Sequence, residues 1–565
     1  MVYFAARSTG ELPMSGGDFR STLTIVAADT TATDCQIFLG WDAMPLLRQT
    51  IRCVLTLLLF GSGSFCLSQP AWAEDPDLEA RVQALEQQNQ RLLDLLSNSE
   101  TTAAFQTVSG TGVCTVPSSP DCLPESGCDA TGKSADGKGK DDPLSMSAKW
   151  KHGLEIETKD KKFRVHVGGR TQFDGVWLQN NREAFIGAGG DGPADAVDFR
   201  RARLRVDGTM YGFIDWAVEY DFVNSVNDNV GVQPATETNV INVPAPTDLW
   251  VNFKDVPWIG NLTMGNFKEP IGMEHATSSR FLDFMERSFN QDAFTGPFNN
   301  GFTPGIMAWQ NFDDDRGLVQ SGFFKNTTNV FGYGIGDGEY AWTSRLAYLP
   351  WRECEGAKLL HVAVAGSIRD PNNDTVQYRS RASLRNGPGA INPVMVNTGG
   401  FQASQARMLG GEAALQLNSL LVQAEYIGTW NTDAFGNGVT SPLAPLGTVF
   451  VNGWYVESLY FLTGEHREYE AKRGAFGRVI PRENFSFRKG LGAWQLGVRY
   501  SRLDLKNGLM DGGLVQDVTL GVNWFLNPNM KLQGNYVFTD REAPASAGSP
   551  GGSFNGYGMR LAYDF

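Results

Sequence analysis

The C-terminal stretch alternates apolar and polar side chains with a period of two, and the apolar set carries most of the aromatic rings. In GYGMRLAYDF, Tyr557, Met559, Leu561, Tyr563 and Phe565 fall on one strand face, and Arg560, Ala562 and Asp564 on the other. Upstream, Val518, Leu520, Val522, Trp524 and Leu526 alternate with Thr519, Gly521 and Asn523. After the turn Asn527-Pro528-Asn529, Met530, Leu532, Tyr536 and Phe538 alternate with Lys531, Gln533 and Asn535. A soluble antiparallel sheet also alternates, but it hides its apolar face in a core and does not ring its strand ends with aromatics. Here Trp524, Phe538, Tyr563 and Phe565 sit near strand ends, as an interfacial girdle requires. The pattern predicts an all-β fold, a transmembrane antiparallel β-barrel with its apolar face on lipid.

The same alternation runs through His166 to Trp177, Arg201 to Gly208, Ile214 to Phe222, Leu249 to Lys254, Trp342 to Tyr348 and Leu360 to Ile368. It continues in Gly411 to Leu417, Leu420 to Tyr426, Trp454 to Leu462 and Trp494 to Tyr500. Allowing roughly 26 residues for a strand and its connection, residues 150–565 predict about sixteen strands, with fourteen or eighteen as alternatives. At that size the lumen holds water. A helical membrane protein is excluded, because charged residues make up 19% of the 565 and no apolar run approaches the roughly 18 residues of a spanning helix.

The N-terminal part divides by composition. From Met44, Arg48 and Arg52 form a positive region, Cys53 to Phe60 an apolar one, and Ala71-Trp72-Ala73 a cleavage site. Residues 44–73 are therefore predicted to be a signal peptide, and residues 1–43 an upstream extension from a misassigned start or part of a longer signal region. In residues 74–98, Leu78, Val82, Leu85, Asn89, Leu92 and Leu96 recur at steps of four and three, which predicts a short coiled-coil helix or an amphipathic helix against the barrel. Residues 99–149 are rich in Ser, Thr, Gly, Pro, Lys and Asp and predict a flexible linker carrying Cys114, Cys122 and Cys128. With Cys354 these leave disulfide pairing open, and their spacing lacks a zinc-ligand pattern.

Alternation also assigns the lumenal face. Arg201, Arg203 and Arg205 lie opposite Ala202, Leu204 and Val206 on their strand. An Arg facing lipid at mid-membrane costs about 2–4 kcal/mol, so the arginine face is placed in the lumen. The next strand puts Asp215, Glu219 and Asp221 beside it. The two rows predict either a rigid network of ion pairs or, where arginines are in excess, a positive track for oxyanions. Arg170, Arg345, Arg499, Arg560 and Lys531 also lie opposite apolar neighbours.

These segments resemble the phosphate-selective porin O and P family from about Phe163 onward. The resemblance is carried by VGGRTQFD, FRRARLRVDG, MGNFKEPIGMEHATSSRFLDFMERS, YFLTGEHREY, GAWQLGVRYSRLDL and the hairpin TLGVNWFLNPNMKLQGNYV. It implies a sixteen-stranded homotrimeric porin of the outer membrane whose inward-folded loops make a constriction lined by Arg and Lys. It further implies that Lys268, Arg280, Arg287 and Arg316 lie in or near such a loop, and that the neighbouring pair Arg200 and Arg201 contributes to the constriction. Small phosphate-like anions are the expected solutes and outer-membrane lipid the surroundings. An unselective porin whose coiled coil tethers the envelope is the alternative. No cofactor, metal or nucleic-acid partner is expected. An enzyme is disfavoured because the five histidines lie in no recognisable nucleophile motif.

Overall fold

In a bilayer every backbone N–H and C=O must be satisfied within the protein, so spanning strands close on themselves. The computed structural model describes residues 144–179, 195–227, 240–295, 301–325, 338, 340–385, 394–436, 444–544 and 551–565. The predicted signal peptide, heptad segment and cysteine-bearing part of the linker lie outside the described residues. The wall consists of β1 (Arg164–Leu178), β2 (Ala196–Met210), β3 (Ile214–Asp221) and β4 (Ala245–Val256). It continues through β5 (Gly260–Phe267), β6 (Thr303–Phe312), β7 (Gly317–Lys325) and β8 (Tyr340–Glu353). Next come β9 (Lys358–Arg369), β10 (Gln405–Leu417), β11 (Leu420–Phe435) and β12 (Pro445–Phe461). The ring ends with β13 (Ala493–Asn507), β14 (Met510–Asn527), β15 (Met530–Glu542) and β16 (Gly551–Asp564). Consecutive strands pair antiparallel, and β16 closes on β1 from Gly556 opposite Leu178 to Asp564 opposite Arg170. A short hairpin, Met146–Trp150 with Leu154–Thr158, extends the sheet where Glu157 pairs with Arg164 at the start of β1.

Burial is inverted relative to a soluble protein. On β16, Tyr557 is 55% exposed and Leu561 38%, whereas Arg560 between them is 1% exposed. Each large apolar side chain placed in lipid gains about 1.5–3 kcal/mol relative to water. Exposed rings cluster at both rims: Tyr211, Phe213, Trp258 and Tyr563 at the end that carries the C terminus, and Phe199, Phe222, Tyr340 and Phe538 toward the other. The aromatic residues expected at strand ends are thus divided between two girdles.

Thirteen of the wall strands contain an alternating segment recognised in the sequence; β5, β6 and β7 do not. Their lipid faces are thin in aromatics and their runs are interrupted by Gly265, Pro304, Gly305 and Gly322. These strands are held by the ladders on either side, in which Gly305 of β6 pairs with Gly265 of β5 and with Phe324 of β7.

Phe565 completes the seam. Its backbone N–H donates to the Gly169 carbonyl at 3.1 Å, and the Gly169 N–H donates to the Phe565 carbonyl at 2.8 Å. A Cβ at Gly169 would lie 2.9 Å from the Phe565 ring, and one at Gly168 would collide with the Phe565 carbonyl oxygen. Gly168→Val is therefore expected to block the final pairing step. The variant should lose the fast-migrating folded band in unheated gels; a normal heat-shifted band would refute this role.

The described parts of three connections fold into the lumen: residues 268–295 and 301–302 between β5 and β6, residues 370–385 and 394–404 between β9 and β10, and residues 462–492 between β12 and β13. The described parts of the first two carry Ile271, Met285, Phe289, Tyr378, Leu384 and Phe401 into one apolar cluster with lumen-facing Val176, Leu503, Val515 and Phe554. The third lies at the C-terminal end, where the other connections are tight turns such as Asn418–Ser419 and Pro528–Asn529.

Candidate functional site

The arginine face of β2 is set by register. Arg201 pairs with Gln172, Arg203 with Arg170 and Arg205 with Gly168 of β1, while Arg203 and Arg205 stand opposite Asp221 and Glu219 of β3. The predicted arginine and carboxylate rows therefore form as adjacent columns. A β-bulge interrupts β2 at this point, because Gln172 pairs with Arg201 and the next residue, Phe173, with Phe199. Arg200 is the extra residue, and a bulge re-aims a side chain that alternation alone would send to lipid. Arg200 and Arg201 consequently converge on one loop carboxylate. Arg200 Nε and Nη2 donate to Glu286 at 2.8 and 3.1 Å, and Arg201 Nη2 donates to it at 3.4 Å. Arg560 adds a third guanidinium at 3.0 Å.

The remaining wall arginines converge on shared carboxylates. Glu219, fully buried, accepts from Arg170 at 2.5 Å and Arg203 at 3.3 Å, with Arg205 at 3.9 Å and Arg280 at 4.0 Å. Arg203 also holds Asp221, and Arg205 holds Asp207 and Asp248. A second bulge, between β3 and β4, brings Thr247 Oγ1 to within 2.7 Å of Glu219.

The inward loop of residues 268–302 is fastened by its own carboxylates. Glu269 is held by Arg369, Glu274 by Arg499, Asp283 by Arg467, Glu286 by Arg200, Arg201 and Arg560, and Asp292 by Arg381 and Arg385. Burial pushes the Asp292 carboxyl up, but Arg381 and Arg385 outweigh it and hold the group ionised well below the usual carboxylate range. With its anions engaged by the wall and by the other inward connections, the loop presents cations to the cavity. Lys268 Nζ donates to the carbonyls of His275 at 2.5 Å and Thr277 at 3.1 Å, and Arg287 donates to those of Glu274 at 2.8 Å and Thr277 at 2.6 Å. Among the described residues neither has a carboxylate within 4 Å.

These groups surround a cavity of about 980 Å³ that reaches from the loop toward the C-terminal end of the barrel. Of the residues singled out in the sequence, Arg170, Arg200, Arg201, Arg203, Arg205, Lys268, Arg280 and Arg287 line it. The others are placed elsewhere. Arg345, 2% exposed, is clamped on Glu412 and on the carbonyls of Arg473 and Gly474. Arg499 is buried against Glu274 and the Glu286 carbonyl, and Lys531 donates to the Leu282 carbonyl. Arg316 lies in the β6–β7 turn and donates to the carbonyls of Leu349 and Pro350. Alternation identified which face these side chains take, but whether an inward loop covers a position is outside its reach.

The sequence reading missed Arg164, Lys151, Lys254, Lys472, Arg473, Arg381 and Arg385, which complete the lining. Fifteen Lys and Arg line the cavity against eight Asp and Glu, so the lumen is locally basic in a chain of net charge −14. Arg381 and Arg385 arrive on the β9–β10 connection, and Lys472 and Arg473 on residues 462–492. The signal available for the latter was parity: that connection returns at the tight-turn end and is far too long for a turn.

A family model described as phosphate-selective porin O and P matches residues 167–565. The chain belongs to that family. It is accordingly an outer-membrane porin, as the segments quoted from the sequence implied. Porin O of Pseudomonas aeruginosa is 27% identical over 459 residues, covering 75% of this chain and 93% of that protein. An uncharacterized protein of Caulobacter vibrioides is 24% identical over 428 residues, covering 74% and 76% respectively. Solved structures similar to the porin include the outer-membrane channel DcaP of Acinetobacter baumannii, at TM-score 0.44 and 12% identity over 72% of this chain and 99% of that one. An anion-selective porin from Comamonas acidovorans has TM-score 0.39 and 12% identity over 71% of this chain and all of that one.

Proposed function

We propose that this porin passes small anions, with oxyanions of the phosphate class foremost, and works as a homotrimer, as membership of its family implies. The supporting observation is the excess of fifteen basic over eight acidic residues around the lumenal cavity. A low-dielectric wall focuses such a field, so a few lumenal charges outweigh the acidic total of the chain. Guanidinium groups match oxyanion geometry and keep their charge at any working pH. Because most of them are also engaged with carboxylates or carbonyls, each site is weak, which lets an anion leave as well as enter. The singled-out residues that line the cavity are proposed to form the track, whereas Arg345, Arg499, Lys531 and Arg316 brace the wall and its turns. In a salt gradient across a planar bilayer, the reversal potential of the purified porin should take the sign of an anion-preferring pore; a cation-preferring or neutral pore would exclude this function.

Lys268 adds a pH dependence. Burial first, and the neighbouring Arg287 next, push its ammonium well below the ordinary value of 10.5, with Asp248 opposing and Arg203 and Arg473 reinforcing the shift. A lowered pKa means that the charge is present at low pH and lost on the way up toward that value. Anion preference should therefore decline with rising pH, below the pH at which an ordinary lysine loses its charge, in the native porin and stay level in Lys268→Arg. An equal decline in both would show that Lys268 is not the titrating group.

A further inference from the structure

The cavity has one wall unlike the rest. Beside the arginine columns, the lumenal positions of β4, β5 and β6 carry Trp250, Phe267, Met307 and Trp309, and Phe302 closes the loop above them. A pore lined for water and inorganic ions has no use for such a surface. Part of it is internal packing: Phe267 and Phe324 meet edge to face at 5.6 Å and are almost wholly buried with Met307. Trp250 and Trp309 pack against this cluster with one part of the ring but are only half-buried, and both line the cavity.

The indole of Trp309 is fixed by its own polar edge. Its Nε1–H donates to Asn252 Oδ1 at 3.2 Å and to Thr263 Oγ1 at 3.0 Å, so the ring is held and its hydrogen bonding is satisfied within the wall. Trp250 pairs across the sheet with Gly265, whose backbone at φ +133° leaves no side chain beside the indole. Cations adjoin this surface. Arg203 and Lys268 lie 5.7 and 5.9 Å from the centroid of the Phe302 ring. Arg205 donates at 2.6 Å to Asp248, which precedes Trp250 by two residues on the same strand face, a separation of about 7 Å.

We infer that the lumen selects for organic oxyanions that join a flat apolar ring to a phosphate- or carboxylate-type head, over inorganic phosphate. The head is taken by Arg203 and Arg205, which keep their charge at the pH where these heads are dianions, and the ring lies on Trp250 and Trp309. This rests on the anion-selective reading and names the solute class within it. The energetic argument is that a cation takes either anion equally, whereas only the aryl solute removes ring and indole surface from water, with a stacked aromatic contributing about tenfold in affinity.

The test compares block of chloride current by inorganic phosphate and by phenyl phosphate, at a pH where both are dianions. Phenyl phosphate should reach half-block at about one-tenth the concentration. In Trp250→Ala/Trp309→Ala the two should become equal, with phosphate block and reversal potential unchanged, and in Trp250→Phe/Trp309→Phe the preference should persist. Equal block by both anions in the native porin overturns the inference, and so does a preference that survives the double Ala change. Both outcomes are separable from failure of anion selectivity itself, which the reversal potential of the native porin reads. Should the Ala variant fail to assemble, the native comparison and the Phe variant still decide.

Discussion

Replacing Arg200 and Arg201 together by Ala is expected to raise single-channel conductance and lower anion preference in the same molecule. The two guanidinium groups are not simply lumenal charges. The bulge at Arg200 turns both toward Glu286, where they supply two of the three guanidinium groups that hold this buried carboxylate. The double change leaves the buried carboxylate on Arg560 alone, which Asp174 already shares, and the cost, at most about 3–5 kcal/mol as for a broken buried pair, is relieved when the loop moves Glu286 toward water. A loop that leaves the wall widens the path, and the loss of two positive charges weakens the field that favours anions. Glu286→Gln separates these effects, since it releases the same loop while keeping every cation, so conductance should rise with anion preference retained. The selectivity loss should fade in concentrated salt, where screening shortens to about 3 Å near 1 M. A double Ala variant with unchanged conductance and noise would show that the pair does not anchor the loop.

How much of this was legible in the sequence follows from what alternation measures. A period of two reports which side of the sheet a residue takes, and on that it was right for Arg201, Arg203, Arg205, Glu219 and Asp221, whose register the structure brings into adjacent columns. It says nothing about what lies across the lumen. Arg170 and Arg345 look alike in sequence, each alternating with apolar neighbours, yet one lines the cavity and the other is sealed under residues 473–474. Arg200 breaks the period, and only the bulge explains how it reaches the lumen. Alternation also fails where an inward loop buries the lumenal face in apolar side chains: Val449 and Val451 of β12 and Leu503 and Leu505 of β13 are fully buried there. The block MGNFKEPIGMEHATSSRFLDFMERS was recognised by resemblance, but the division of labour within it was not. Its carboxylates Glu269, Glu274 and Glu286 grip the wall and Asp283 grips Arg467 of the 462–492 connection, while Lys268, Arg280 and Arg287 line the cavity.

Arg467→Ala is expected to unseat the connection of residues 462–492 while the barrel itself stays folded. Arg467 is 1% exposed and ties three parts of the molecule together. Its guanidinium donates to the Asp283 carboxylate and to the Phe281 carbonyl on the β5–β6 loop, and to the Gly477 carbonyl on its own segment. Its backbone N–H donates to Gln416 on β10 at 3.1 Å. Without the side chain, Asp283 keeps Gln495 at 3.0 Å as its side-chain donor, and a buried carboxylate so depleted again costs about 3–5 kcal/mol. The strand ladders on either side contain none of these bonds, so the heat-shifted band of the folded barrel should be unchanged. The segment should instead become cleavable by trypsin within residues 472–489, where Arg and Lys recur, and single-channel current should flicker between levels. Arg467→Lys should not restore the native trace, because an ammonium on a flexible stem does not reproduce the planar fork that reaches Asp283 and two carbonyls at once. If the Ala variant resists trypsin as the native porin does and its current is quiet, the segment is held by its packing against the wall and Arg467 is dispensable.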